Sequence, residues 1–172
     1  CPLVHNNVLY NAAFIIFEGK ILGIVPKSYI PNYSEFYEKR WFTSAAMLVD
    51  ETVDLPFQDN IPLGTNLLFT AGDYKFGIEI CEDLWVTIPP SSYLSLLGAN
   101  IIGNLSASNE LVSKKDYRLL LISNQSARCM SSYIYSSAGV HESTTDLLFS
   151  GHLIISENGS ILKENNRFQR EN

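Results

Sequence analysis

Residues 74–85 read YKFGIEICEDLW, an alternating pattern that runs directly into a cysteine and two acids. Alternation of this kind is typical of a half-buried β-strand. The apolar members are Phe76, Ile78 and Ile80. Because successive side chains of a strand point to opposite faces, Glu79 and Cys81 are predicted to share the other face. Together with Asn66–Phe69 and the turn residues between them, the stretch predicts a β-hairpin.

Further strands are predicted on both sides of this hairpin. Upstream, Val8–Phe17 and Ile21–Val25 predict a second hairpin with Gly19 in its turn. Downstream, Ala99–Leu105 is typical of a buried strand, and Asn158-Gly159 is a strong turn signal. The remaining predicted strands are Leu147–Phe149, His152–Ser156 and Ile161–Lys163.

Two helices are predicted between the strands. Ser91 can cap a short helix that Gly98 ends. Lys115–Ser137 has the pattern of a long helix, with apolar residues at seven-residue spacing. Those residues are Leu120, Ala127 and Ile134. The alternation of strands and helices indicates an α/β or mixed layered fold.

Composition narrows the class of protein. The 172 residues are 46% hydrophobic and 17% charged, which allows a real core and excludes a disordered chain. A net charge of −6 argues against a nucleic-acid partner or an anionic membrane surface, since both require a basic face. No apolar run reaches the length of a bilayer span. Three cysteines without metal-ligand spacing indicate free thiols and a cytoplasmic globular domain.

Cys81 is the residue whose position is most typical of a nucleophile. A strand end holds the backbone rigid while the side chain points into a cleft, and a thiol requires a nearby cation or base. Lys27, after the strand Ile21–Pro26, is a candidate cation. The alternatives remain a buried structural thiol and a solvated lysine. A Cys–His dyad is also open, although His5, His141 and His152 have no metal-binding spacing.

Four ordered blocks resemble motifs of the nitrilase superfamily, and within it the glutaminase domain of bacterial glutamine-dependent NAD synthetases. The blocks are Val25–Phe42, Gly77–Trp85, Asn104–Glu110 and Gly139–Asp146. The resemblance implies a four-layer α-β-β-α sandwich that pairs through its helices into a homo-oligomer. It also implies that residues 1–172 are most of a glutaminase (carbon-nitrogen hydrolase) domain, truncated at its N-terminal side so that the first strands and helix are missing.

The resemblance also implies roles for individual residues. Cys81 would attack the side-chain amide of glutamine and form a glutamyl thioester, while Lys27 would stabilise the thiolate and the oxyanion. A glutamine pocket would be built by the positions Tyr33, Phe36, Glu38, Glu35, Trp85, Ser108 and Lys114. Whether Glu35 or Glu38 is the auxiliary acid beside the lysine stays open. Lys114 stands where an arginine sometimes occurs, which would change a bidentate contact into a point-charge contact.

One part of the family pattern is missing. The family's general base is a glutamate several dozen residues upstream of the lysine, and Glu18 is the only acid before Lys27. We therefore expect this chain alone to be a poor or inactive glutaminase. A synthetase domain, which would use ATP and deamido-NAD, is expected to lie outside these residues, and no cofactor or metal is expected here. The alternatives are a stand-alone amidase acting on another small amide and a non-catalytic module with a nitrilase-type fold.

Overall fold

The computed structural model describes residues 1–49 and 51–170. In chain order, the elements of this part are β1 (Pro2–His5), β2 (Val8–Phe17), β3 (Lys20–Pro26), β4 (Thr52–Leu55), β5 (Gln58–Pro62), β6 (Phe69–Ala71), β7 (Tyr74–Ile80), α1 (Pro90–Leu96), β8 (Ile101–Ser106), α2 (Lys114–Cys129), β9 (Ser132–Ser137), β10 (Leu153–Glu157) and β11 (Ser160–Glu164). Short 3-10 turns follow β3 and β7.

The larger sheet has six strands in the order β11-β10-β9-β8-β7-β6. Its centre is parallel, with β7 beside β8 and β8 beside β9, while the outer strands are antiparallel. Parallel neighbours require a crossover connection, and α1 and α2 provide the two crossovers. The two helices therefore pack on the same face, over a core that includes Leu94, Ile122 and Tyr133.

A smaller antiparallel sheet, β1-β2-β3, lies against the opposite face of the larger one. Ala13 and Val25 of the small sheet pack against Ile80 of β7. A two-stranded ribbon, β4-β5, covers the small sheet through Ile61 and its neighbours. The order of layers is therefore helix, sheet, sheet. Since both α-helices lie on the larger sheet, the described residues contribute three layers of the expected four-layer sandwich.

The long helix predicted over Lys115–Ser137 is wrong beyond Cys129. Helix α2 ends at Cys129 because Met130 adopts a left-handed conformation with φ of 47°. The chain then enters β9, where Tyr133 and Tyr135 alternate with exposed residues. Leu120, Ala127 and Ile134, whose seven-residue spacing led to the prediction, are all exposed. The buried positions of α2 are instead Arg118, Ile122, Gln125, Ser126 and Cys129.

The other predicted elements are present apart from one strand, although two details were wrong. Ser91 does not cap the short helix, because α1 begins at Pro90 and Ser91 lies inside it. The first arm of the second hairpin is Phe69–Ala71 rather than Asn66–Phe69. Both hairpins, the short helix α1 and the turn at Asn158-Gly159 are present. Residues Leu147–Phe149 were predicted as a strand and instead form a loop. Within residues 1–49 and 51–170, no helix is both long and apolar enough to cross a membrane.

Candidate active site

Cys81 directly follows β7, at the end of the sheet where the parallel strands β8 and β9 also end. Its φ of 51° is left-handed, which is a costly conformation for a residue with a side chain. The chain thereby leaves the strand and enters the 3-10 turn Cys81–Trp85. Carboxyl ends of parallel strands are where ligands commonly bind in α/β folds.

The prediction that Glu79 and Cys81 share a face is wrong. Glu79 points toward the helices, where it accepts hydrogen bonds from the Ser91 N–H at 2.8 Å and from the Tyr133 hydroxyl. Cys81 instead packs with Ile80 on the side of the small sheet. The reason is that the strand ends at Ile80, so the alternation rule no longer holds at the next residue.

Asp83 fastens the cysteine turn to the segment that follows Lys27. One of its carboxylate oxygens accepts from the Ile80 N–H at 2.9 Å. The other accepts from the N–H groups of Tyr29 at 2.8 Å and Ser28 at 3.2 Å. This buried carboxylate therefore links the ends of β7 and β3, which belong to different sheets.

Lys27 is buried beside the cysteine turn and is paired with Glu38. Only 1% of Lys27 is exposed, and its Nζ lies 2.8 Å from each carboxylate oxygen of Glu38. Glu35, in contrast, accepts a hydrogen bond from the Asn109 side chain. Of the two acids that the sequence left open, Glu38 is the one in contact with the lysine.

A pocket of about 380 Å³ opens at these strand ends. Its charged and nucleophilic lining residues are Cys1, Lys27, Glu38, Cys81 and Glu142, and residues at the ends of β8 and β9 complete it. No histidine is among the described residues that line it. His152 is instead held by Arg118 and Glu164, so it is not a partner of the thiol.

A second group of predicted residues surrounds Lys114. The ammonium lies 5.3 Å from the centre of the Trp85 ring and 5.8 Å from that of Phe36. It donates to Asn109, whose amide donates to Glu35. Burial lowers the pKa of Lys114, and the nearby Arg118 adds to this effect. The arrangement places one cation against two aromatic rings and connects it through Asn109 to one carboxylate.

Tyr33 and Glu82 complete the polar rim. The Tyr33 hydroxyl donates to both carboxylate oxygens of Glu82 at 2.9 and 3.0 Å, and its ring meets that of Phe36 edge to face. Burial raises the pKa of Glu82, against the opposing effects of Tyr33 and Lys27. Ser108 is 3% exposed, and its hydroxyl has no hydrogen-bond partner among the residues that the structure describes.

Comparison with known proteins settles the family. The carbon-nitrogen hydrolase family profile matches residues 2–171. The chain belongs to the carbon-nitrogen hydrolase family. It is 42% identical to the glutamine-dependent NAD(+) synthetase of Mycobacterium tuberculosis, over 98% of this chain and 25% of that protein. This carbon-nitrogen hydrolase chain therefore spans about a quarter of the length of the curated relatives it matches.

Solved structures of related proteins confirm the predicted fold class. A glutamine-dependent NAD(+) synthetase from Cytophaga hutchinsonii superposes with a TM-score of 0.84 at 25% identity, over 99% of this chain and 27% of that one. A carbon-nitrogen hydrolase from Helicobacter pylori superposes with a TM-score of 0.68 at 21% identity, over 94% of this chain and 55% of that one. The second likeness concerns the fold alone.

Several residues at the carbon-nitrogen hydrolase site were not singled out from the sequence. Glu82 and Asp83 directly follow Cys81, and this adjacency was the only signal that could have identified them. Asn109 and Glu142 lie in blocks that resemble family motifs, but no local pattern indicated their contacts. No group of three or more His, Cys, Asp or Glu residues within the described ranges could hold a metal ion.

Proposed function

We propose that this chain carries the nucleophile and the substrate pocket of a glutamine amidase that supplies ammonia to a larger protein. The observation that carries the proposal is the buried Lys27, held by Glu38 in the same pocket as Cys81. A buried ammonium beside a thiol favours the thiolate, and it also counters the negative charge that develops on an attacked amide oxygen. A purely structural cysteine requires neither feature.

The reaction proceeds in two covalent steps. The Cys81 thiol gives its proton to the general base, its sulfur attacks the side-chain amide carbon, and the C–S bond forms. The C–N bond then breaks as the nitrogen takes that proton and leaves as ammonia. Water then attacks the thioester carbon, the C–S bond breaks, and glutamate leaves with the thiolate regenerated. Lys27 stabilises the thiolate and the oxyanion in both steps. A nucleophile held at a strand end is preorganised for this attack.

The second group of residues recognises the amino-acid end of glutamine. Lys114 offers a point charge to the α-carboxylate, while Glu82 and Glu35 are the acids available to the α-ammonium. Tyr33, Phe36 and Trp85 form the walls. Ser108, whose buried hydroxyl has no partner among the described residues, is assigned to the pocket by its resemblance to the family motif. Opposite charges set apart in this way favour a zwitterion over a simple amide.

The activity of the whole protein is inferred from its relatives. Ammonia released at Cys81 would be consumed by a synthetase domain of the same polypeptide that converts deamido-NAD to NAD with ATP. Three free thiols fit a reducing compartment such as the cytoplasm. Two copies would associate through their helices. The general base would be a glutamate outside these residues, because Glu18 lies in the exposed β2-β3 turn. The chain by itself is therefore expected to turn over glutamine slowly or not at all.

The test is covalent labelling with a glutamine-like chloroketone, read by intact mass. A single adduct that is absent in Cys81→Ala is expected. Alkylation of Cys81 by iodoacetamide, which has no amino-acid end, is the matched control for thiol reactivity, and it is read on the Cys81 peptide because the exposed Cys1 is also alkylated. If Cys81 reacts with the chloroketone no faster than with iodoacetamide, a glutamine pocket is excluded and an amidase for other small amides is favoured. Slow reaction with both would favour a non-catalytic module.

A further inference from the structure

Asp83 holds the backbone next to both reactive groups of the site. One of its carboxylate oxygens accepts from the N–H of Ile80, the residue before Cys81, at 2.9 Å. The other accepts from the N–H groups of the two residues that follow Lys27, at 3.2 and 2.8 Å. The bond to Ile80 also closes the turn in which Cys81 keeps its left-handed φ of 51°. A single side chain therefore fixes the nucleophile and the lysine relative to each other.

This link connects two sheets that the chain does not join locally. Lys27 follows β3 of the small sheet and Cys81 follows β7 of the larger one. Asp83 is 2% exposed, so its hydrogen bonds are shielded from water. A second hydrogen bond between the same two segments joins the Tyr33 hydroxyl to Glu82, and that bond is exposed. Because water competes for exposed hydrogen bonds, the buried bridge is the firmer of the two.

The donors around Asp83 match an ionised carboxylate. All three are backbone N–H groups, and they approach the two oxygens from different segments. Both oxygens of an ionised carboxylate accept hydrogen bonds, whereas an amide of the same shape has one acceptor and one NH2 group. Whichever way an asparagine is turned at this position, its NH2 group faces backbone donors on one side. An acid is therefore required to hold both segments.

Keeping an ionised acid at this position lowers the stability of the fold. Burial raises the pKa of Asp83 to about 7, and the Glu79 carboxylate adds to the rise, while the N–H groups of Ile80 and Tyr29 and the Lys27 ammonium oppose it. Because the folded-state pKa exceeds the unfolded value, this group stabilises the fold most at low pH, and that stabilisation is lost as the pH rises from about 4 to about 7. Such a loss of stability is typical of a residue kept for function.

We propose that Asp83 is a positioning residue, whose carboxylate holds the Lys27 ammonium and the Cys81 thiol in one pocket so that the lysine favours the thiolate. Asp83 is not among the described residues that line this pocket, so it acts through the backbone that it holds. Its part in amide hydrolysis rests on the proposed function. Its effect on the reactivity of the thiol does not.

Positioning and charge predict opposite effects of replacing Asp83. The negative charge of the carboxylate disfavours a nearby thiolate, so removal of the charge alone would make Cys81 more reactive. Loss of the bridge instead lets Lys27 and Cys81 move apart, which makes Cys81 less reactive. The direction of the change therefore distinguishes the two effects.

The experiment is alkylation by iodoacetamide at pH 8, above the Asp83 pKa of about 7, with the rate read on the Cys81 peptide. Asp83→Asn should slow the reaction by about fivefold. In the Lys27→Gln background the same substitution should have little further effect, because no ammonium remains to be positioned. Equal slowing in both backgrounds, or faster alkylation in Asp83→Asn, would overturn the proposal.

A matched control makes the same chemical change outside the site. Asp54 is an exposed aspartate of the β4-β5 ribbon, and it accepts from the Asn60 N–H at 2.7 Å. Asp54→Asn should leave the rate at Cys81 unchanged. Cys129 reports opening of the fold in every sample, since it is 6% exposed and its thiol is buried. Its alkylation should remain slow in Asp83→Asn.

A second variant guards against misfolding caused by the amide itself. Asp83→Ala removes the bridge without turning an NH2 group toward the backbone donors, and it leaves room for water to bond them. It should slow Cys81 to a similar extent, again only when Lys27 is present. If both Asp83 variants make Cys129 react as fast as Cys81, Asp83 holds the whole fold rather than the site, and the proposal is wrong.

Labelling with the glutamine-like chloroketone separates this proposal from the proposed function. If wild-type Cys81 forms no adduct while Asp83 and Lys27 are coupled in the alkylation rates, the glutamine amidase is overturned and the positioning role stands. If the adduct forms but the two residues act independently, the amidase stands and the positioning role is overturned.

Discussion

Replacing Glu38 by glutamine tests the ion pair at the centre of the site. Lys27 is 1% exposed and Glu38 is 24% exposed, so the substitution leaves an almost fully buried ammonium without a carboxylate. Breaking a buried pair by removing one partner costs about 3–5 kcal/mol. Glutamine retains one acceptor oxygen and the site is partly open to water, so we expect a loss of about 2 kcal/mol.

The matched control is Glu35→Gln, the same chemical change three residues earlier. Glu35 accepts its hydrogen bond from the Asn109 amide, and a glutamine oxygen can accept it equally well. The loss should therefore stay below about 1 kcal/mol. Both variants can be measured by urea unfolding followed through tryptophan fluorescence. A loss of about 2 kcal/mol corresponds to a midpoint lowered by about 1 M.

Salt dependence separates a buried ion pair from a surface one. Because a buried pair is screened much less than exposed charges, the difference between the two variants should persist in 1 M sodium chloride, an ionic strength at which the Debye length is about 3 Å. If Glu38→Gln lowers the free energy of unfolding no more than Glu35→Gln at either salt concentration, the Glu38 carboxylate does not stabilise the buried Lys27 ammonium. The assignment of Glu38 as the acid that holds the lysine would then be refuted.

Three further outcomes are expected. Lys27→Gln should slow alkylation of Cys81 by iodoacetamide at pH 7 by about tenfold, because the thiolate loses its cation; an unchanged pseudo-first-order rate would contradict this. Cys81→Gly should raise the free energy of unfolding by about 1 kcal/mol, because glycine adopts a φ of 51° without strain, while abolishing the chloroketone adduct; urea unfolding measures the first effect. Burial lowers the pKa of His152, so its neutral form stabilises the fold at high pH, and that stabilisation is lost as the pH falls below about 6.5, the unfolded-state pKa. His152→Asn should reduce the fall of the urea midpoint between pH 7.5 and pH 5. If the midpoint falls as much as in the wild type, the buried neutral His152 is not the cause of that fall.

Local sequence patterns predicted the elements whose conformation depends on residues close together in the chain. The β2-β3 hairpin and the strand before Cys81 follow from alternation and turn residues, which act over a few neighbours. The pattern failed at Ser132–Ser137, where serines and two buried tyrosines fit a strand but had been assigned to a helix. Parallel pairing with β8 decided that segment, and such pairing is not visible in a window of local sequence.

Some residues of the candidate site could likewise be identified from the sequence, and others could not. Cys81 and Lys27 could be identified from the sequence because each follows a strand and lies in a block that resembles a family motif. The partner of the lysine could not be identified, since Glu35 and Glu38 occupy the same loop and only its folded path brings one of them to 2.8 Å. The role of Asp83 was equally hidden, because its hydrogen-bond donors Ser28 and Tyr29 lie in the segment after β3, far from Asp83 in the chain.

By itself the sequence determined the family, the main strands and a nucleophile at a strand end. These follow from short-range chemistry: alternation, turn residues and ordered motifs. Only the tertiary structure decided which acid holds the lysine and which face Cys81 occupies. Those features depend on Lys27 and Cys81, which are far apart in the chain and line one pocket only because β3 and β7, strands of different sheets, end beside it.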